Sequence, residues 1–317
     1  MNVDDLLDAW VESQVRAECD SLMRSLAQGV GEGAGDRFAL GIADVQRARS
    51  IASIILKGAY PMTPSKHGGY GWKPDLPGAV KHLYAAPLRR FGALLPHYDL
   101  RPNCPPIWDQ GQIGSCTAHA GGAAVQFAQM KEKKWNFTPS RLFIYYCTRD
   151  IEGTTASDAG ASISDTIAAL NKFGACQEPD WPYDVAKFAV KPPPNAYAAA
   201  AKDLVLQSAA VSQNLSQMIG CLADGYPFDI GIAVYDSFQS DAVASSGKVP
   251  MPDLNSEKLL GGHSVLVVGS DDPSRTFIVR NSWGTGWGMA GYFTIPYEYL
   301  LNPDLASDFQ TIRAVEW

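Results

Sequence analysis

The chain has 317 residues, 46% of them apolar and 19% charged, with a formal net charge of −7 and a pI near 5.2. That length accommodates two compact domains, or one catalytic domain with an appendage, and the composition is neither disordered nor collagenous. The acidic balance offers no footprint for nucleic acid or anionic lipid, and no apolar run reaches the ~18 residues a membrane helix needs.

The opening MNVDDLLDAW places acids where a secretory leader carries Lys or Arg. The default expectation is therefore a cytoplasmic protein, with a leaderless export route or a lost leader as alternatives. Residues 3–26 read as an amphipathic helix, with Val3, Leu6, Leu7, Trp10, Val11, Val15, Leu22, Met23 and Leu26 on one stripe. Gly29 to Gly35 then form a hinge, and residues 43–57 a second helix with Val45, Ile51, Ile54 and Ile55 on its apolar face. Residues 60–77 are rich in Pro, Gly and aromatics, including His67-Gly-Gly-Tyr-Gly-Trp72. They are expected to form an extended strap held to a surface by its rings.

Beyond about Tyr98 helical periodicity prevails first, over 116–131, 139–147 and 164–173, with Gly174 as a C-cap. Pro192-Pro193-Pro194 interrupts the chain, and a further helix spans 215–223. Strands follow at 228–234, 264–269, 276–280 and 292–295, where apolar or β-branched runs are bounded by turn residues. A helical half followed by a strand-rich half predicts an α+β domain of two lobes with a cleft between them. Residues 1–98 are expected to form an N-terminal extension and residues 99–317 the main domain. The six cysteines, at 19, 104, 116, 147, 176 and 221, have no spacing that demands a disulfide.

Two segments carry chemistry. In Trp108-Asp-Gln-Gly-Gln-Ile-Gly-Ser-Cys116 the glycines allow a tight loop, and Ser115 can cap the helix that follows. Cys116 then sits at a helix N-terminus, where unpaired amides and the helix dipole favour a thiolate. A buried, inert thiol is the plainer reading of any single cysteine, and this loop alone leaves it open. In the second segment, strands 264–269 and 276–280 flank the turn cluster Ser270 to Arg275, which predicts an antiparallel hairpin. A register symmetric about residue 272 pairs 265 with 279 and 267 with 277, and sets His263 opposite Asn281. An amide on one imidazole nitrogen fixes the tautomer and aims the other nitrogen at a nucleophile. The spacing leaves an unrelated histidine and asparagine equally open.

Taken together, Gln110 to Cys116 before a helix, Gly262-His-Ser-Val-Leu-Val-Val-Gly269, and Asn281-Ser-Trp-Gly-Thr-Gly-Trp-Gly288 with Gly291-Tyr-Phe resemble the papain family of cysteine peptidases, in its bacterial branch. The resemblance runs from about Asp99 to the C-terminus. It implies a helical lobe and an antiparallel, barrel-like lobe with the active-site cleft between. By position it implies Cys116 as nucleophile, His263 as base and later acid, Asn281 as orienter of the imidazole, and Gln110 as a side-chain oxyanion donor. It places Trp283 over the His–Asn hydrogen bond, Trp287 on the leaving-group side, and Gly160 where substrate backbone pairs. Gly262 and strand 228–234 are implied to line the pocket that governs selectivity, which predicts an apolar side chain there. A peptide or protein is the implied partner, with no cofactor.

Two departures stand out. Ile113 replaces the family's usual cysteine, so that disulfide cannot form, which points to a reducing compartment, and Thr117 replaces its usual tryptophan. Residues 1–98 lack the common prosegment pattern. They are read either as an autoinhibitory segment laid across the cleft or as a permanent structural wrap. A thiol-dependent amidase or acyltransferase on the same fold, and a catalytically silent peptide-binding protein, remain the alternative functions. His119, in a Cys-x-x-His pattern with no second pair of ligands, is expected to be a packed helix histidine rather than a metal ligand.

Overall fold

The computed structural model describes residues 65–75, 83–85, 95–133 and 137–315, all within one compact unit that spans Tyr60–Trp317. The expected helices at 3–26 and 43–57 and the glycine hinge lie outside the described residues. Among the described residues, no helix is long and apolar enough to cross a membrane.

The helices are α1 (Cys116–Lys131), α2 (Arg141–Glu152), α3 (Ile163–Lys172), α4 (Pro194–Ala200), α5 (Leu215–Ala223), α6 (Asp241–Ser246) and α7 (Tyr297–Leu301). The strands are β1 (His97–Asp99), β2 (Val205–Ala210), β3 (Phe228–Tyr235), β4 (Leu259–Asp271), β5 (Thr276–Arg280), β6 (Tyr292–Pro296) and β7 (Ala306–Val315). All seven strands pair antiparallel in one sheet, in the order β2-β7-β3-β4-β5-β6, with β1 against the end of β4. The fold is the expected α+β arrangement. Strands β1, β2 and β7 are not among those expected from the sequence.

Strand β4 explains why its sequence is apolar throughout. Val265 and Val267 enter one buried cluster with Ile230, Phe277 and Val279. Leu266 and Val268 enter another with Ala118 and Val125 of α1. Alternate side chains point to opposite faces of a strand, so both faces of this sheet are covered. Each fully buried Val or Leu contributes roughly 1.5–3 kcal/mol. Helix α1 is buried from Cys116 to Gln129. Its small residues Ala118, Ala120, Gly121, Gly122, Ala123 and Ala124 let neighbouring elements approach closely, so it shows no amphipathic stripe.

The hairpin register differs from the sequence expectation. Leu266 pairs with Arg280 and Val267 with Val279, and a bulge before Gly269 then shifts the pairing to Ile278 and Phe277. The bulged Val268 turns its carbonyl to the Leu100 amide at 2.8 Å, on the side where β1 joins. The symmetric register ignored this third strand. The offset at the site end is even, so the faces are kept and His263 and Asn281 still meet, diagonally rather than in direct opposition. Ser115 is a second difference. It is the N-cap of α1, but at φ −92° and ψ 20° its side chain makes no capping bond. Its Oγ lies instead 2.6 Å from the Tyr183 hydroxyl.

Helix α2 supports the loop before Cys116 through a fully buried arginine. Arg149 Nη1 donates to the carbonyls of Thr155 (3.0 Å) and Ser157 (2.8 Å), and Nη2 to that of Phe188. Its guanidinium lies 3.9 Å from the Tyr145 ring centroid. Tyr145 donates to Asp158, whose carboxylate accepts the Gly114 amide at 3.0 and 3.1 Å. Replacing Arg149 by Met removes the shared donor from these three carbonyls. Denaturant melting should show a loss of about 3 kcal/mol.

Candidate active site

Cys116 opens α1 and is completely buried, as is His263 on β4. Asn281 follows the last residue of β5, and its amide donates to Gly291 O at 2.9 Å. His263 Nε2 lies 2.9 Å from Asn281 Oδ1. The same Oδ1 accepts the Ser282 amide at 2.8 Å, which identifies it as the carboxamide oxygen. An acceptor on that side makes Nε2 the protonated nitrogen. Nδ1, buried and without a hydrogen-bond partner, then carries the lone pair. The imidazole is thus set as a base at Nδ1.

Trp283 stacks on the His263 ring, with centroids 4.8 Å apart and planes at 25°. Trp287 meets Trp283 edge-on at 5.1 Å, and both pack on Phe238. These rings keep water from the His–Asn bond and hold the imidazole plane.

Gln110 is oriented from both ends of its carboxamide. Its Oε1 accepts the Ser282 hydroxyl at 2.6 Å, and its Nε2 donates to Ile113 O at 2.8 Å. Its own amide donates to Ser282 O at 2.8 Å, so Ser282 ties the loop before Cys116 to the segment that carries Asn281. Ser282 and Asp158 hold this loop, a role for which the sequence displays no motif. Their signal is only proximity to flagged residues, Asn281 in one case and Gly160 in the other.

The strap crosses this constellation. Gly69 N donates to Gly111 O (2.8 Å), Gly71 N and Trp72 N to Gly262 O (3.1 and 2.9 Å), and Lys73 N to Ala161 O (3.0 Å). Ala161 N in turn donates to Gly71 O at 2.7 Å. Gly69 O accepts from Gln110 Nε2 at 3.0 Å. The Tyr70 ring stands edge-on to His263 and against Trp283. Of the residues expected to line the cleft, Gly262 supplies its carbonyl. Beside Gly160 it is Ala161 that makes the backbone bonds, and Gly160, at φ +69°, leaves room for the Gly71 carbonyl.

Burial dominates the electrostatics. It pushes the Cys116 thiol up to about 12, against the lowering effect of the Ser264, Gly71 and Thr117 amides. It pushes His263 down to about 4, against the raising effect of Asn281. His119, one turn along α1, is also buried, with Nδ1 3.0 Å from Ser115 O and its ring edge-on to Tyr183 at 4.9 Å. Cys104, Cys116, Cys147, Cys176 and Cys221 carry free thiols, and Cys19 lies outside the described residues.

The double tether on Gln110 is testable. Ser282→Ala frees its Oε1 and should lower kcat for peptide hydrolysis about tenfold with little change in KM, as loss of an outer-shell partner does. Unchanged kinetics would show that the Nε2 bonds to Ile113 O and Gly69 O suffice to hold the carboxamide.

Residues 95–304 match the family model described as papain family cysteine protease. The chain is 43% identical over 216 residues to an uncharacterised peptidase C1-like protein of Acanthamoeba polyphaga mimivirus, covering 65% of this chain and 69% of that one. Among solved structures it is similar to xylellain, a cysteine protease from Xylella fastidiosa, with a TM-score of 0.74 and 40% identity over 80% of this chain and 98% of that one. A digestive procathepsin L of Tenebrio molitor larval midgut shares the fold at a TM-score of 0.59 and 17% identity, over 95% of this chain and 99% of that one. The chain belongs to the papain family of cysteine proteases.

Proposed function

We propose that this protein is a cysteine endopeptidase acting through Cys116, His263, Asn281 and Gln110, and that residues 65–75 occupy its cleft and hold it inactive until they are displaced. The observation that carries the reading is the strap's backbone pairing with both walls of the cleft, at Gly262 and Ala161, with its Gly69 carbonyl on Gln110 Nε2. A strap carbonyl on a poised donor stands where the oxygen of a scissile peptide bond would be held.

When the strap leaves, water returns to the dyad and removes the main cause of both pKa displacements. The thiol proton passes to His263 Nδ1, giving thiolate and imidazolium. The thiolate attacks the scissile carbonyl, and the oxyanion is stabilised by Gln110 Nε2–H and the Cys116 amide. As the tetrahedral intermediate collapses, Nδ1–H protonates the leaving amine and a thioester remains. Water, deprotonated by Nδ1, then attacks the thioester; the carboxylic acid leaves and the thiol is restored. Asn281 Oδ1 holds Nε2–H throughout.

The strap's glycines suit this arrangement. A Cβ at Gly71 falls 1.9 Å from Gly114 O, a backbone atom that cannot yield, and one at Gly68 falls 2.2 Å from the Trp283 ring. Gly71→Val in the full chain should therefore expel the strap. Labelling of Cys116 by iodoacetamide near neutral pH should accelerate at least about tenfold, with a parallel rise in hydrolysis of a denatured protein. Cys116→Ala should abolish hydrolysis. Equal labelling and activity of the wild type and Gly71→Val would remove the inhibitory role and leave the strap a structural wrap.

The strap's far end predicts a pH dependence. Asp75 accepts from the Ser164 amide at 3.1 Å and from the Ser164 hydroxyl, and its own amide donates to Asp308 Oδ2 at 2.8 Å. Burial, then the Asp308 charge, pushes Asp75 up to about 7. A carboxyl raised on docking favours the docked state at low pH and loses that contribution as pH rises through its docked value. Exchange protection of the Gly71 and Trp72 amides, corrected for intrinsic rate, should fall between about pH 4 and pH 7 and level off above that. Asp75→Asn should flatten this fall.

A further inference from the structure

His119 is a buried titratable group one helical turn from Cys116 that takes no part in the steps of hydrolysis. It is 2% exposed, and its ring stands edge-on to those of Tyr183 and Trp108, with centroids 4.9 and 6.3 Å away. Packing alone would account for an imidazole there; its hydrogen bonds say more.

Each proton around His119 has one place. The Tyr183 hydroxyl donates to the Gln110 carbonyl at 2.9 Å, so its oxygen accepts from Ser115 Oγ at 2.6 Å. With its proton engaged there, Ser115 Oγ is an acceptor toward His119 Nδ1 at 3.3 Å, and the Ser115 carbonyl is a second at 3.0 Å. A nitrogen that faces two acceptors carries the proton. His119 Nε2 therefore holds the lone pair, and it is buried with no hydrogen-bond partner among the described residues. Burial, with the Arg141 charge, pushes this imidazole down to about 3, which keeps it neutral and an acceptor.

A matching donor faces the same space. Asn281 turns its Oδ1 to His263 and to the Ser282 amide, which leaves Nδ2 and its two hydrogens. Nδ2 is also buried without a hydrogen-bond partner among the described residues. His119 and Asn281 line one cavity of about 10 Å³, together with Trp108, Ser264 and Arg280. That is the room a single water takes. A buried polar group left unpaired costs about 1–3 kcal/mol, so a water that serves both is favoured.

We infer that one buried water accepts from Asn281 Nδ2–H and donates to His119 Nε2, and that His119 is thereby a positioning residue for peptide hydrolysis. Asn281 is then held at both ends of its carboxamide, Oδ1 by the Ser282 amide and Nδ2 by the water. The same hydrogen bonds run on from His119 through Ser115 and Tyr183 to the backbone of Gln110. The residue that orients the base and the one that holds the oxyanion are joined through α1. Without this anchor Asn281 can turn away from His263, and a misplaced Nδ1 lowers turnover more than binding. The kinetic consequence rests on the peptidase reading above; the water does not.

Two sets of measurements test the inference. A crystal structure of the full wild-type chain should show one ordered water within about 3.2 Å of both His119 Nε2 and Asn281 Nδ2. Nitrogen NMR of the histidine-labelled chain at neutral pH should show His119 as the Nδ1–H tautomer. No water at that place, or a proton on Nε2, overturns the inference. Kinetics are compared in the full chain carrying Gly71→Val. His119→Phe keeps the bulk of the ring and removes the acceptor, and kcat should fall about tenfold with KM little changed. His119→Gln sets a carboxamide oxygen near the place of Nε2 and should restore kcat to within about threefold of the His119 chain. Packing alone predicts that Phe is tolerated, or that Phe and Gln fail equally, and either result overturns the positioning role. If Gly71→Val with His119 intact cleaves nothing, the peptidase reading fails, and the crystal structure and the tautomer still decide the water.

Discussion

The hydrogen bond from His263 Nε2–H to Asn281 Oδ1 is the constraint on which the rest of the site depends. It leaves Nδ1 as the basic nitrogen, and it persists only while water is kept from a polar pair inside the protein. Trp283 provides that exclusion by stacking on the ring, and Trp287 and Phe238 hold Trp283 in turn. The Ser282 amide fixes which end of Asn281 faces the imidazole. Trp283 and Trp287, in the segment after Asn281, thus help to keep this hydrogen bond dry.

Burial acts on Cys116 and His263 themselves. It pushes the thiol up to about 12 and the imidazole down to about 4. The amides of Ser264, Gly71 and Thr117 act on the thiol in the opposite direction and are outweighed. A thiol at a helix N-terminus is therefore not activated by its position alone.

The strap meets the cleft chiefly through backbone. Its glycines allow main chain to lie against main chain at Gly114, while Tyr70 and Trp72 take the places where side chains fit. Backbone pairing is tolerant of sequence. Asp75, Asp229 and Asp308 are buried near one another, and the Asp308 charge adds to burial in raising the Asp75 carboxyl.

Much of this site is visible in the sequence by itself. The helix that begins at Cys116, the strands around Ser270 to Arg275, and the order Gln110, Cys116, His263, Asn281 follow from local periodicity, turn chemistry and motif spacing, which depend on neighbours along the chain. The Gly-rich character of His67 to Trp72 likewise marks a segment pressed against a surface. What that surface is depends on contacts across long separations, which no local pattern records. The hairpin register was settled by β1 drawing the Val268 carbonyl to Leu100, and the side chain of Ser115 by Tyr183 offering it a partner. Asp308 reads in the sequence as an ordinary late acid between Ser307 and Phe309. Only the tertiary structure sets it beneath Trp72, 236 positions earlier in the chain, because burial and hydrogen-bond partnership are properties of packing and not of the chain in order.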